Sequence, residues 1–591
     1  MADTARVTAG SLALASRAPR NVRRALVPAA IFLVTLLAFL PALDGQFVNW
    51  DDDRNFVDNA GFRGLGWTQL TWMWTTTLMG HYIPLTWMTL GLNYVLGGMS
   101  PWGYHFGSML IHSANAVLFY FVARRLLAAA AGAVGGGPLP WGGALAALVF
   151  GIHPLRVESV AWITERRDVL CGFFFLLAVL GYLRSTDPGG SSWRWRALSV
   201  GAFLAALLSK AQAVPLPLAL LLLDVYPLRR LPRIGWRTAL VEKLPYALLA
   251  LGGGVVALLA VKHGSGFTDY QQYPAAARLA MTAYAIVFYA SKWLWPMGLS
   301  PLYELPARVE VFAPRFLAPM LVLIGVSTLL VALRRRWPGG LAAWLYSALM
   351  VLPVIGPVHA GHQLANDRYS YLSGLGFAVL AGAALVWVLR AGERGLVRPW
   401  PLRACGAGAL LVLLALGSST WVQAEAWKDS ETLWSWAVEL DPQCAACHSN
   451  FAEAIARERP KEAEAAFRHS LSLRDRPVTR SNLGAVLELQ GRLDEAERTY
   501  RQALDADPDL PEALANLGAL YAKRGRDGEA LPLLRRAFRV APEFPELRVN
   551  LALVLRRRAT ELSGERPSAE ATTLAEEAHL IAPENAGRSS R

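Results

Sequence analysis

Three consecutive carboxylates, Asp51, Asp52 and Asp53, follow Trp50 in the stretch Phe47-Val48-Asn49-Trp50-Asp51-Asp52-Asp53-Arg54-Asn55. Adjacent carboxylates repel one another and raise one another's pKa, which suits a general base or a pair of metal ligands. A run of like charges is equally the mark of a solvated loop, so these acids need cationic partners before they count as a site. The chain offers such partners beside apolar segments: Arg156, Glu158, Arg166, Arg167 and Asp168 after His153-Pro154, then Lys210, then Asp367-Arg368-Tyr369. Ionisable residues at span ends are costly to bury and mark function by default. Arg and Lys there suit a phosphate group delivered from the lipid phase. Each also has a structural reading. His153-Pro154 can simply break a helix at a turn, Glu158 can pair with Arg166, and Asp367-Arg368 can cap a span at the headgroups.

The elements that must hold these residues are membrane helices. Of the 591 residues 54% are apolar and 21 are Trp, a composition unlike that of an average soluble domain. Apolar runs long enough to span recur near 25–43, 104–128, 139–161, 168–184, 196–214, 214–228, 243–262, 278–297, 313–333, 340–358, 369–390 and 402–421. Arg clusters at 17–24, 124–125, 184–196, 229–237, 334–336 and 390–403 belong on the cytoplasmic side. They agree through the sixth run and again from the ninth onward only if an odd number of crossings lies between. With 278–297 lying along the membrane or re-entering it, the count becomes about eleven spans, N-terminus inside and C-terminus outside. The basic segment 1–24 then precedes an uncleaved first span, because no small-residue cleavage site follows it. The net charge of +13 is accounted for by orientation and implies no nucleic acid.

This topology gathers the loop 44–103, the turn 153–168, the turn at Lys210, the segments 263–277 and 298–312, and the turn 359–368 on one non-cytoplasmic face. In the first of these, Trp67, Trp72, Trp74 and Trp87 alternate with Thr and Leu as in short helices anchored at the interface. A membrane domain over 25–421 is therefore expected, followed by a helical domain over 422–582 and a disordered tail over 583–591. In the second domain Asn482, Asn516 and Asn550 are spaced by 34, as are Gly491 and Gly525, Ala496 and Ala530, and Pro508 and Pro542. That period, with small residues at helix crossings and Pro at the unit end, is the tetratricopeptide signature. An insertion near 563–567 interrupts the last unit. Stacked units present a concave face for peptides or partner proteins.

Cys444-Ala445-Ala446-Cys447-His448 matches a haem-attachment string. Cys447 and His448 nevertheless take packing positions of a repeat helix, aligned with Ala513 and Leu514, so a disulfide or two buried thiols are expected and haem is not. Cys171 and Cys405 lie in apolar runs as small buried residues.

The chain resembles the transmembrane and tetratricopeptide-repeat glycosyltransferases, meaning the eukaryotic protein O-mannosyltransferases of that name and their bacterial relatives. The resemblance runs through Trp50-Asp51-Asp52 with Asn59, then His81-Tyr82-Ile83-Pro84-Leu85-Thr86, then 97–105 with His105 and His112. It continues through Phe150 to Val160, Arg166 and Asp168, Leu208-Ser209-Lys210, 221–228, Gln363, Asp367 to Leu372, and Trp427-Lys428-Asp429. It implies the C-type glycosyltransferase fold, all-α, in a bacterial inner membrane, with the active loops and the repeats periplasmic. It further implies transfer of a sugar from a polyprenyl-phosphate donor to an acceptor, such as a protein Ser or Thr presented by the repeats. Asp51 or Asp52 would act as base or position the acceptor hydroxyl, and Arg166, Lys210 and Arg368 would hold the donor phosphate. His105, His153, Glu158, Asp168, Asp367 and Tyr369 would support them. No cofactor is required by these roles, and a divalent ion on Asp51 and Asp52 stays an open alternative. Ile83, where relatives carry Arg, and Ala211, where eukaryotic members carry Glu, argue against carrying mannose specificity over. A lipid-linked glycan ligase or polymerase would place its key Arg and His in a late external loop, whereas the acids here lie in the first. A non-enzymatic envelope scaffold would tolerate loss of Asp51 and Asp52.

Overall fold

A computed structural model describes residues 20–132, 137–187, 192–264, 271–355, 361, 363–542, 545–563 and 568–582. It divides into two compact units, 1–429 and 430–591. The expected tail over 583–591, the insertion at 564–567 and His359 lie outside the described residues.

Among the described residues of the first unit each apolar run of the sequence is helical over most of its length. Six helices are long and apolar enough to cross a bilayer: Pro101–Ala131, Ile163–Ser185, Leu231–His263, Pro314–Ala332, Leu375–Glu393 and Pro399–Glu425. Leu139–Gly151 and Pro154–Ala161 form a seventh candidate bent by 56°. The break falls at His153-Pro154, where Pro removes a helical N–H and clashes with the preceding turn. Ala25–Ala38, Ala211–Val225 and Pro338–Val354 are shorter apolar helices. Helices approach closely where side chains are smallest: a Cβ on Gly142 would meet the Gly382 carbonyl oxygen at 2.7 Å. Such small-residue contacts replace the hydrophobic drive that helices lack in lipid.

One element breaks the all-α expectation. Tyr303–Glu304 pairs antiparallel with Gln363–Ala365, Tyr303 opposite Ala365. The first loop folds into Trp67–Thr75 and Pro84–Gly97, but its tryptophans do not act alike. Trp67 is 85% exposed, whereas Trp87 is only 2% exposed and packs with Phe56, Phe62 and Met73. Trp87 is thus the core of the loop and no anchor.

The second unit is an array of antiparallel helix pairs from Ser430–Leu440 to Ala569–Ile581. Its core carries the small residues of the 34-residue period, with Ala496, Ala530 and Ala537 fully buried. A Cβ on Gly484 would lie 2.6 Å from the Tyr500 ring. Gly484→Ala should therefore overpack this crossing and cost about 1–3 kcal/mol, read as a lower melting temperature of the repeat unit in the full chain. Cys444 and Cys447 are bonded to each other and buried at the start of Ala445–Ile455, where Cys444 Sγ also accepts the Cys447 N–H at 3.1 Å.

Candidate functional site

The first loop is locked in place by Asp52. Its carboxylate accepts the Val48 N–H at 3.1 Å, the Thr164 N–H at 3.1 Å and the Thr164 hydroxyl at 2.6 Å. Asn55 donates to the same hydroxyl at 3.1 Å. Asp52 is 1% exposed, so its oxygens are spent on tying the loop to the residue before Glu165. Asp51 differs in every respect. Its backbone is left-handed, φ 67°, a conformation that costs a non-glycine residue energy and collects at functional sites. Its carboxylate is half-buried and takes no hydrogen bond among the described residues. Burial raises its pKa, and Arg167 and Arg368 pull it back down.

Those two arginines belong to a buried ionic cluster centred on Glu165, which is fully buried. Arg167 reaches it at 2.6 and 3.1 Å, Lys210 at 2.7 Å and Arg368 at 3.2 Å. Lys210 also bonds Asp168 at 2.7 Å, and Asp168 accepts the Ser159 hydroxyl at 2.9 Å. Arg368 is held by Glu158, through its guanidinium and through its backbone N–H at 2.7 Å. Glu158 therefore pairs with Arg368 and not with Arg166. Three cations converging on one carboxylate make a ready seat for an anion, because each could exchange that carboxylate for a phosphate oxygen without losing a charge-assisted bond.

Trp162 walls the cluster. It stacks on Trp50 with ring centroids 6.2 Å apart and on Trp427 at 5.7 Å, and Arg368 lies over it at 5.1 Å. Lys428 accepts the Gln46 N–H at 2.7 Å, so the segment leading to the repeats closes the first loop from behind.

The structure brings Asp51, Glu158, Asp168, Lys210 and Arg368 together. Tyr369 adjoins them, its ring 5.1 Å from the Arg368 guanidinium. Asp367 accepts the Tyr303 hydroxyl at 3.0 Å. Arg166 does not join the cluster. Its guanidinium bonds Ser108 at 2.8 Å, Asn93 at 3.0 Å and the Tyr104 carbonyl, over Gly107, where a Cβ would collide with it. His153 caps the turn, accepting the Leu155 N–H at 3.2 Å and bonding the Trp293 carbonyl at 3.0 Å. His105 is buried against Gly45. Among the described residues no group of three or more His, Cys, Asp or Glu is arranged to hold a metal ion.

Glu165 does not stand out in the sequence, and Arg167 stands there only as one member of a run. Helical phase carries the signal. Residues 165 and 168 are three apart and share a face, whereas 166 and 167 point about 100° apart. Lys210 bridging Glu165 and Asp168 uses that shared face.

Burial holds the Asp52 carboxyl up at about 7, against the Thr164 hydroxyl and the Val48 and Thr164 N–H groups that pull it down. The raised acid contributes stability that is complete below its ordinary value of 3.8 and lost as pH rises through about 7. The melting temperature of the wild type should fall relative to that of Asp52→Asn across this upper range. Parallel curves would refute it.

The first unit thus joins helices fit to cross a bilayer to a buried ionic cluster beside Asp51, and the second is a helical repeat array. Residues 475–543 match the tetratricopeptide repeat family. The chain is 35% identical to human protein O-mannosyl-transferase TMTC4 over 198 residues, 31% of this chain and 27% of that protein. It is 27% identical to the mouse protein of the same name over 480 residues, 72% of this chain and 63% of that protein. The matches thus span less than two thirds of these relatives' length. Among solved structures, ArnT from Cupriavidus metallidurans bound to undecaprenyl phosphate aligns with 82% of this chain and 80% of its own at 16% identity. Its TM-score of 0.35 is too low to transfer geometry. The chain is therefore similar, over part of their length, to proteins named protein O-mannosyl-transferase, and it carries a tetratricopeptide-repeat match.

Proposed function

We propose that this protein is a membrane glycosyltransferase that moves a sugar from a polyprenyl-phosphate carrier to a hydroxyl acceptor. The observation that carries this reading is the convergence of Arg167, Lys210 and Arg368 on one buried carboxylate, with Asp51 facing two of those cations. In the reaction, Asp51 takes the proton of the acceptor hydroxyl as its oxygen bonds to the anomeric carbon. The bond from that carbon to the phosphate oxygen breaks, and polyprenyl phosphate leaves with one more negative charge. Arg167, Lys210 and Arg368 meet that charge in a low-dielectric setting, where such contacts count most. Asp52 positions Asp51, and the Trp50–Trp162 wall offers a face for the sugar ring. Glu158 and Asp168 keep the cations aligned. These roles need no metal.

The loops bearing the site and the repeats lie on the non-cytoplasmic side, in a bacterium the periplasm of the inner membrane. The distribution of Arg clusters supports this, as does the Cys444–Cys447 disulfide, which persists in oxidising compartments. The membrane part, 25–421, performs the chemistry, and the repeats, 422–582, present a protein acceptor through Ser or Thr.

The test is transfer by the purified full chain in liposomes, from a panel of radiolabelled polyprenyl-phosphate sugars to Ser- and Thr-containing peptides and extracted envelope proteins. Label should move with wild type and not with Asp51→Asn. Equal labelling by both, or none by either with every donor, sinks the proposal.

A further inference from the structure

A second buried ionic cluster lies at the far end of the helix that begins at the candidate site. Arg166–Ser185 carries Tyr182 about 21 Å beyond Asp168 along its axis. There the Tyr182 hydroxyl bonds Asp224 at 2.7 and 2.8 Å, and Asp224 is paired with Lys243 and, at 2.8 Å, with Arg230. Arg230 reaches Glu242 at 3.0 Å, and Glu242 holds Arg196 at 2.6 Å. None of these groups serves the proposed chemistry. What they do is fix the walls of a pocket of about 500 Å³, lined by Tyr182, Arg196, Arg237, Val241, Glu242 and Pro245 among others, the Glu242 carboxylate being already engaged by Arg196 and Arg230.

The pocket has the charge and the surroundings of a lipid headgroup site. Arg196 and Arg237 project at its mouth, both exposed, and Arg237 has no ion pair or hydrogen bond among the described residues. Arg233 and Arg194 stand exposed nearby in the sequence, and two tryptophans of the same segments, Trp193 and Trp236, are 67% and 58% exposed. Exposed Trp beside Arg is the pattern of residues seated at headgroup level. Below the mouth, Val241 and Pro245 lead onto the outward ridge Leu240, Leu244, Leu248 and Leu251, more than half exposed at each position. On a membrane-spanning helix, lipid tails cover such a ridge without cost. Basic pockets between membrane helices on the Arg-rich side are known seats of anionic headgroups.

We propose that this pocket binds the headgroup of an anionic phospholipid, with its acyl chains laid along the Leu240–Leu251 ridge. The headgroup phosphate sits between Arg196 and Arg237, and the Asp224–Lys243–Arg230–Glu242 network keeps Arg196 in place. Arg237 makes the cleaner test, because its removal leaves that network whole.

The experiment is native mass spectrometry of the full chain released from nanodiscs of equal phosphatidylglycerol and phosphatidylcholine. A thermal-shift titration with phosphatidylglycerol in detergent runs in parallel. Wild type should retain phosphatidylglycerol, and Arg237→Gln should weaken its retention about fivefold. Arg196→Gln with Arg237→Gln should weaken it further. Arg335→Gln with Arg336→Gln, in a basic cluster on another turn, should change nothing. If the control loses as much lipid as Arg237→Gln, or if Arg237→Gln retains as much as wild type, the pocket is no lipid site. An equal thermal shift from inorganic phosphate would also overturn the proposal, by showing a site for a free anion. Monodisperse gel filtration of Arg237→Gln shows that any loss is not unfolding.

Discussion

Asp51→Asn is expected to lower sugar transfer by about 10²–10⁴-fold, the usual contribution of a positioned general base, and to leave the fold intact. The two halves of that expectation come from different features. The carboxylate takes no hydrogen bond among the described residues, so an amide of the same shape breaks none. The left-handed backbone at φ 67° is tolerated by Asn better than by almost any other side chain. Ala there would confound lost chemistry with backbone strain. The amide cannot accept the hydroxyl proton, so the loss falls on kcat. Removing a negative charge beside Arg167 and Arg368 should leave the donor KM unchanged or lower it. Rates with a radiolabelled donor, together with the melting temperature, separate these outcomes. A variant that keeps its rate would move the base elsewhere in the cluster. One that loses rate only through a higher KM would make Asp51 a binding residue.

Lys210→Ala should have the largest combined effect. Its ammonium joins Glu165 and Asp168 at 2.7 Å each, with both acids almost fully buried. Removing one partner of a buried pair leaves charge uncompensated and costs about 3–5 kcal/mol. Loss of a cation at the leaving phosphate should cost a further ~10²–10³ in kcat. A second substitution separates the two effects. In Lys210→Ala with Asp168→Asn the charge balance returns, so the melting temperature should recover while transfer stays low. Recovery of both would make Lys210 a structural residue only. Failure of the melting temperature to recover would place its cost on Glu165 instead.

Much of this molecule was legible before any coordinates. The apolar runs, the 34-residue period and the Pro-broken bend at residue 153 follow from local physics: lipid demands long apolar helices, and repeats write their packing into spacing. The residue types that gather in the ionic cluster were legible too, because carboxylates and cations are rarely left beside membrane spans without use. The division of labour was not. Asp51 and Asp52 are adjacent and identical in type, yet Asp52 is consumed by Val48 and Thr164 while the Asp51 carboxylate takes no hydrogen bond among the described residues. That depends on a contact 112 residues away. Arg166 and Arg167 were indistinguishable as sequence, but one helical step turns the first toward Ser108 and Asn93 and the second toward Glu165. The two-stranded ribbon at Tyr303 was invisible because two or three residues per strand carry no periodicity.

The sequence by itself determined that this is a helical membrane protein with tetratricopeptide repeats after its apolar helices, with acids in its first loop and cations in later ones. Composition and period are properties of each segment alone. Only the tertiary structure decided that Glu165 is the hub, that Asp51 takes no hydrogen bond among the described residues and that a second ionic cluster stands about 21 Å away along one helix. Those are facts about which side chains meet, and in a bundle of helices a meeting is set by rotation about each axis. At 100° per residue, a single step exchanges a ligand for a strut.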